Sequence, residues 1–251
     1  MQLSNGTVVV TGAASGIGRA TAQRAAAEGA SVAVFDRAFE DALETVTLID
    51  KDGGRAQAYE VDVSNEDAVA SAIEHVVSDL GPPGSLVTCA GIFDGNDLRP
   101  LIDVPGETFL HVLGVNLAGT FYAIKHAMPH LIANNGAVVT IASTAATHGH
   151  GFGSGYTASK GGVAALTRLA AVQYGPEGVR CNCICPGGVD TPMTQGVFFT
   201  PEAVKRTKAR TPLRKVAVPE ELASVAVFLL SDDASHVTGQ TLTVDGGTTI
   251  A

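Results

Sequence analysis

A chain of 251 residues with a net charge of −9 presents no basic face, which argues against nucleic acid as a partner. No apolar run approaches the roughly 20 residues of a membrane span, so no membrane role is expected. With 45% hydrophobic and only 16% charged residues, a monomer would be thinly charged, which favours an oligomer that hides part of its surface. Strand-like and helix-like segments alternate throughout, with no linker, repeat or low-complexity stretch, so residues 1–251 read as a single α/β domain. The first residues enter a strand without a charged leader, and four cysteines suit a reducing compartment; the expected location is cytoplasmic.

Residues 7 to 10 (TVVV) make a short apolar strand, followed by a glycine-rich turn with Gly12, Ser15, Gly16, Ile17 and Gly18. The Ala-rich run RATAQRAAAEG then reads as a helix stopped by Gly29. Strand, glycine turn and helix form a cradle in which backbone amides meet a pyrophosphate at the helix N-terminus. The next strand ends at Asp36, whose carboxylate would accept hydrogen bonds from ribose hydroxyls and repel a 2′-phosphate. NAD is therefore expected in preference to NADP, with Arg37 beside it and Ser15, not a base, in the turn. A helix over 41–52 and a strand over 55–61 lead to Asp62 and Val63, placed to reach the adenine edge.

SLVTCAG at 85–91 reads as a fourth strand ending in Cys89, Ala90 and Gly91, where glycine permits close approach of a ligand. A long helical segment over 107–132 contains Asn116, and the apolar run AVVTIAS ends at Ser143. Tyr156 and Lys160 lie one helical turn apart, so their side chains share a face. Phenol, ammonium and hydroxyl brought together can give a proton to a carbonyl oxygen or take one from an alcohol. Cys181, Cys183 and Cys185 alternate along a further strand, where they read as small apolar residues rather than metal ligands.

The glycine turn, the strand-end Asp36, Ser143 thirteen positions before Tyr156 and Lys160 four after it resemble the short-chain dehydrogenase/reductase family over essentially the whole chain. Pro186, Gly187, Val189 and Thr191 match its PG-x-V-x-T segment beside the nicotinamide, and VTGQ with VDGG matches its closing strand. The resemblance implies a Rossmann-like doubly wound fold, a parallel sheet of about seven strands with helices on both faces. It also implies a catalytic tetrad of Asn116, Ser143, Tyr156 and Lys160. Tyr156 would be the general acid/base, helped toward phenolate by the Lys160 ammonium; Lys160 would also bind the nicotinamide ribose. Ser143 would hold the substrate oxygen, and Asn116 a water that links Lys160 to solvent. Where the family usually carries Asn before Ala-Gly, this chain has Cys89, which cannot replace an amide's paired donor and acceptor; with the tetrad complete, the catalytic step is expected intact.

The charge-poor helices around 107–132 and 157–174 are expected to meet a neighbouring subunit, and the resemblance suggests a homotetramer. Substrate contacts are expected from Ser143, His148, Phe152, Tyr156, Gly188 and Met193. Phe93, Asp94, His150, Gly151 and a lid over 193–215 with Phe198, Phe199 and a short helix from Pro201 complete the pocket candidates. The expected activity is NAD-dependent interconversion of a small secondary alcohol and its ketone. The runner-up is an NADPH-dependent 3-oxoacyl-carrier-protein reductase, suggested by Lys205, Arg206, Lys208, Arg210, Arg214 and Lys215 in the lid; a third reading is a non-catalytic dinucleotide sensor.

Overall fold

The computed structural model describes residue 3 and residues 6–149, 152–195 and 200–251. Among these, seven strands form one sheet: β1 Thr7–Thr11, β2 Ser31–Asp36, β3 Arg55–Glu60, β4 Pro83–Thr88, β5 Ala137–Ile141, β6 Arg180–Pro186 and β7 Thr241–Val244. The helices between and after them are α1 Gly16–Ala27, α2 Phe39–Lys51, α3 Glu66–Asp79, α4 Gly106–Leu113, α5 Gly119–Ala133, α6 Ser154–Tyr174, α7 Pro201–Arg210 and α8 Pro219–Leu230. The strand order is β3-β2-β1-β4-β5-β6-β7, and every neighbouring pair is parallel. Winding reverses between β1 and β4, and the crevice at their carboxyl ends is where such a sheet binds ligands. This is the doubly wound, Rossmann-like fold expected from the sequence.

Side-chain alternation explains why the inner strands are buried on both faces, unlike the edge strand β3 (RAQAYE). Val8 and Val10 of β1 pack with Ala22 and Ala25 of α1 and with Leu222 and Ala226 of α8. Val9, between them, packs on the opposite face with Ile73 and Val76 of α3 and Ala123 and Ala127 of α5. Every β1 residue is buried, so each face of the sheet is sealed by a helical layer. The carboxyl ends remain open.

Three element boundaries differ from the sequence expectation, each beside the crevice. β4 ends at Thr88, so Cys89, Ala90 and Gly91 leave the ladder and run along the ligand side. β5 ends at Ile141, and Ser143, in extended conformation, caps a short 3-10 turn over Thr144–Ala146. The helical segment over 107–132 is not uniform: α4 gives way to a π turn over Gly114–Ala118 before α5 begins. Apolar residues continue through that turn, so hydropathy gave no sign of it.

Candidate active site

The turn after β5 and the first turn of α6 bring Ser143 and Tyr156 together on the wall of one cavity. Burial raises the Tyr156 phenol above its ordinary value, and the Ser143 hydroxyl pulls it back. The Ser143 Oγ also accepts from the Ala145 amide at 3.2 Å, which fixes the rotamer that faces Tyr156. One helical turn on, Lys160 is buried, with its Nζ 5.7 Å from the centre of the Tyr156 ring. The ammonium donates to the Ile141 carbonyl at 2.9 Å, and burial pushes it down to about 8. Removal from water, not the neighbouring ammonium, is therefore the dominant influence on the phenol.

Asn116 is fully buried and its amide is saturated by protein. Its Oδ1 accepts from the Ile92 amide at 2.7 Å, while Nδ2 donates to the Ile92 carbonyl at 3.1 Å and the Ser159 Oγ at 3.1 Å. The side chain thus clamps the segment after β4 to α6, and Gly91 passes beside both the Asn116 amide and the Lys160 ammonium. The backbone carbonyl of Asn116 accepts from the Thr120 hydroxyl at 2.9 Å.

A residue that sequence reasoning missed holds the start of α6. Asp97 is fully buried, and its two oxygens accept from the Gly155 amide at 2.7 Å and the Tyr156 amide at 2.8 Å. Gly153, the N-cap, provides no side chain of its own, and a Cβ there would lie 2.1 Å from Asp97 Oδ2. A carboxylate at this end satisfies orphan amides and complements the helix dipole. No local pattern links position 97 to position 155, so the sequence carried no signal for it.

The glycine turn lies across β1 and β4. Gly12 has φ +66°, and a Cβ there would come within 2.6 Å of Ala90 backbone atoms, so only glycine fits this close approach. Ser15 caps α1 without a side-chain bond and the first turn holds no acid, which leaves its amides for an anion. Asp36 accepts from the Ala14 amide and the Ala38 amide, both at 3.0 Å. A carboxylate has acceptor positions beyond those two. Gly12, Asp36, Arg37, Asp62, Val63 and Gly91 share one groove, which His111 also lines. The Ser64 hydroxyl, 2.6 Å from Asp62, holds that carboxyl below its ordinary value. Thr191 packs on Gly16, and Gly187 donates to the Val244 carbonyl at 3.1 Å, so the turn after β6 reaches the same crevice. Cys89 donates its amide to the Thr11 carbonyl, and burial pushes its thiol up to about 12. A dinucleotide fits this donor set: a side-chain-free cradle, free helix amides and a strand-end carboxylate.

Next to the Ser143–Tyr156 pair lies a cavity of about 540 Å³. Phe93 stands edge-on to Tyr156 at 5.6 Å between centroids, and Phe152 is tilted at 6.2 Å. Gly188 and Met193 line the cavity as expected, joined by Thr144, Thr207, Arg206 and Arg210. His148 is absent from the described lining: it is exposed, and its Nδ1 lies 2.9 Å from the Thr147 hydroxyl because the short turn after Ser143 carries it outward. Asp94 is likewise absent, since its carboxylate accepts from the Asn96 amide and caps a 3-10 turn. His150, Gly151, Phe198 and Phe199 lie outside the described residues. Cys181, Cys183 and Cys185 are free and buried on β6, and no metal-binding cluster occurs among the described residues.

Comparisons with known proteins agree with this geometry. The family model described as enoyl-(acyl carrier protein) reductase matches residues 12–249. The chain is 41% identical over 243 residues to a cis-4-hydroxycyclohexanecarboxylate dehydrogenase of Sinomonas cyclohexanicum, covering 96% of this chain and 95% of that one. It is 38% identical over 250 residues to a meso-2,3-butanediol dehydrogenase of Serratia marcescens, covering 99% and 96%. A solved short-chain type dehydrogenase/reductase of Mycobacterium ulcerans superposes with a TM-score of 0.94 at 33% identity, covering all of this chain and 92% of that one. By sequence along nearly its whole length, and by fold, the chain belongs to the short-chain dehydrogenase/reductase family of oxidoreductases.

Proposed function

We propose that this oxidoreductase interconverts a small secondary alcohol and its ketone with NAD, Tyr156 carrying the proton. The observation that carries the reading is the meeting of Ser143 and Tyr156 at an aromatic-walled cavity, with the buried Lys160 one turn away. In the reducing direction the Tyr156 hydroxyl donates to the carbonyl oxygen, and in the oxidising direction the phenolate takes the alcohol proton. Ser143 holds the same oxygen and steadies the charge that develops on it. Lys160 has donors left over after its bond to Ile141, and these suit ribose hydroxyls. Asn116 keeps α6 in register with the strand β4 segment, and a water at its backbone would link Lys160 to solvent. A dinucleotide in the Gly12–Asp36 groove supplies the hydride acceptor or donor. The two named relatives act on hydroxyl groups of small molecules, which supports this substrate class.

NAD is favoured because a 2′-phosphate would meet the Asp36 carboxylate. A homotetramer through α4, α5 and α6 would cover Leu110, Phe121, Leu169 and Val172, all exposed on the single chain. Among the described residues no helix is long and apolar enough to cross a membrane.

The test is a panel of secondary alcohols with NAD and NADP, followed by absorbance of the reduced cofactor. Turnover with NAD, at least about tenfold above NADP in kcat/KM, and its loss in Tyr156→Phe are expected. A folded protein that turns over no alcohol or ketone, or a Tyr156→Phe variant that keeps wild-type rates, would end this reading. The carrier-protein alternative draws on the description of the matching family model and the basic residues of α7. Faster NADPH-dependent reduction of an acetoacetyl thioester than of any free ketone would favour it.

A further inference from the structure

Resting on the alcohol–ketone reading of the Tyr156 site, we propose that the substrate carries a carboxylate or equivalent oxyanion, held by Arg206 and Arg210 of α7. Helical spacing makes the case. Ala203, Arg206, Thr207 and Arg210 recur at intervals of three and four, and these residues of α7 line the cavity. Thr207 packs on Gly188, which seats that face over the turn following β6. Lys205 and Lys208, on the other faces of the helix, do not line it.

The electrostatics of the cavity are one-sided. Its described lining holds two guanidinium groups and no Asp or Glu, in a chain whose net charge is −9. Neither arginine has a carboxylate partner among the described residues, whereas the neighbouring Lys215 is paired with Glu221 and Arg214 donates to the Ala209 carbonyl. Unpaired cations over walls of Phe93, Phe152 and Met193 focus positive potential into the space beside Tyr156. Guanidinium is also the side chain that grips a planar oxyanion through two parallel bonds.

Two other destinations for the arginines are less well served. A cofactor phosphate belongs in the Gly12–Asp36 groove, which neither arginine lines. A carrier protein would need a broad basic surface at the mouth; Arg206 and Arg210 are exposed, but both line a space of small-molecule size, which suits a small anion.

The test has a binding arm and a turnover arm. In the first, ligand-observed NMR with the NAD-loaded enzyme measures cyclohexanecarboxylate against cyclohexanecarboxamide, two unreactive probes of equal shape. The acid should bind roughly tenfold more tightly than the amide, as expected for a charge-assisted pair. The preference should vanish in Arg206→Gln/Arg210→Gln and return in part in Arg206→Lys/Arg210→Lys, with NAD affinity unchanged. Equal binding of acid and amide, binding of neither, a preference that survives the double Gln variant, or a matching loss of NAD affinity would overturn the proposal. The turnover arm compares methyl-ketone acids with their carboxamides using reduced cofactor. Acid-selective binding without turnover of either set would retire the alcohol–ketone reading while the anion site stood.

Discussion

At the residue scale, the surroundings of the Tyr156 phenol fix the direction of the pH dependence. Burial raises the phenol and the Ser143 hydroxyl lowers it, so the oxidising reaction, which needs phenolate, gains rate as pH rises through the alkaline range. Removing the lowering influence must move that limb further into alkali. Ser143→Ala is therefore expected to shift the kcat/KM profile for alcohol oxidation to higher pH, as well as to lower its plateau by roughly a hundredfold. Profiles of the two proteins over the same pH range check this; a plateau that drops while the limb stays in place would show that Ser143 leaves the phenol's acidity untouched. Asn116, Ser143, Tyr156 and Lys160 could be proposed from the sequence because their spacing is local or resembles that of the family. The dominance of burial over Lys160 was not, since desolvation depends on what the folded chain packs around a group. Cys89 illustrates the same limit: its identity was visible, but not that its thiol would be buried and held in the protonated form.

At the scale of elements, α6 is the part with the most to lose from a misplaced end. It carries Tyr156 in its first turn, where helices fray, and its own N-cap is a glycine. Asp97 restrains that turn from a separate segment. Asp97→Asn keeps the shape but offers a single acceptor oxygen to two amides, so about 2 kcal/mol of stability should be lost. Activity per folded molecule, measured well below the melting temperature, should fall about tenfold because the phenol is no longer held in place. Thermal melts and kcat on the same samples decide it; a lower melting temperature with unchanged kcat would make Asp97 a purely structural cap. The helix of Tyr156 and the length of the Asn116 segment were approachable from the pattern of the sequence, whereas which basic residues of α7 line the cavity was not. The π turn was not, because hydropathy records which residues are buried and not which carbonyl each amide reaches.

On the scale of the whole molecule, α4, α5 and α6 are the side expected to meet a neighbouring subunit, and each exposes a large apolar residue. Leu110 is 67% exposed and Val172 76%, although both lie on helices whose other residues seal the core. If this side is the subunit contact, Val172→Asp should turn a tetramer into smaller species at micromolar concentration, as read by light scattering. A wild-type chain that is already monomeric there would remove the basis for that expectation. An α/β fold with a parallel sheet was readable from alternating strand and helix patterns, since a parallel sheet needs a crossover between neighbours; the order of its strands was not. That same order bears on how the chain is made. β1 is wholly buried, yet its second partner is β4, with Thr7 opposite Pro83. Until Pro83–Thr88 has left the ribosome, a strand that will lie inside the sheet has an open edge with unpaired amides. Synthesis therefore passes through a stage at which a strand wholly buried in the finished fold presents an adhesive edge, and shielding by a chaperone matters there.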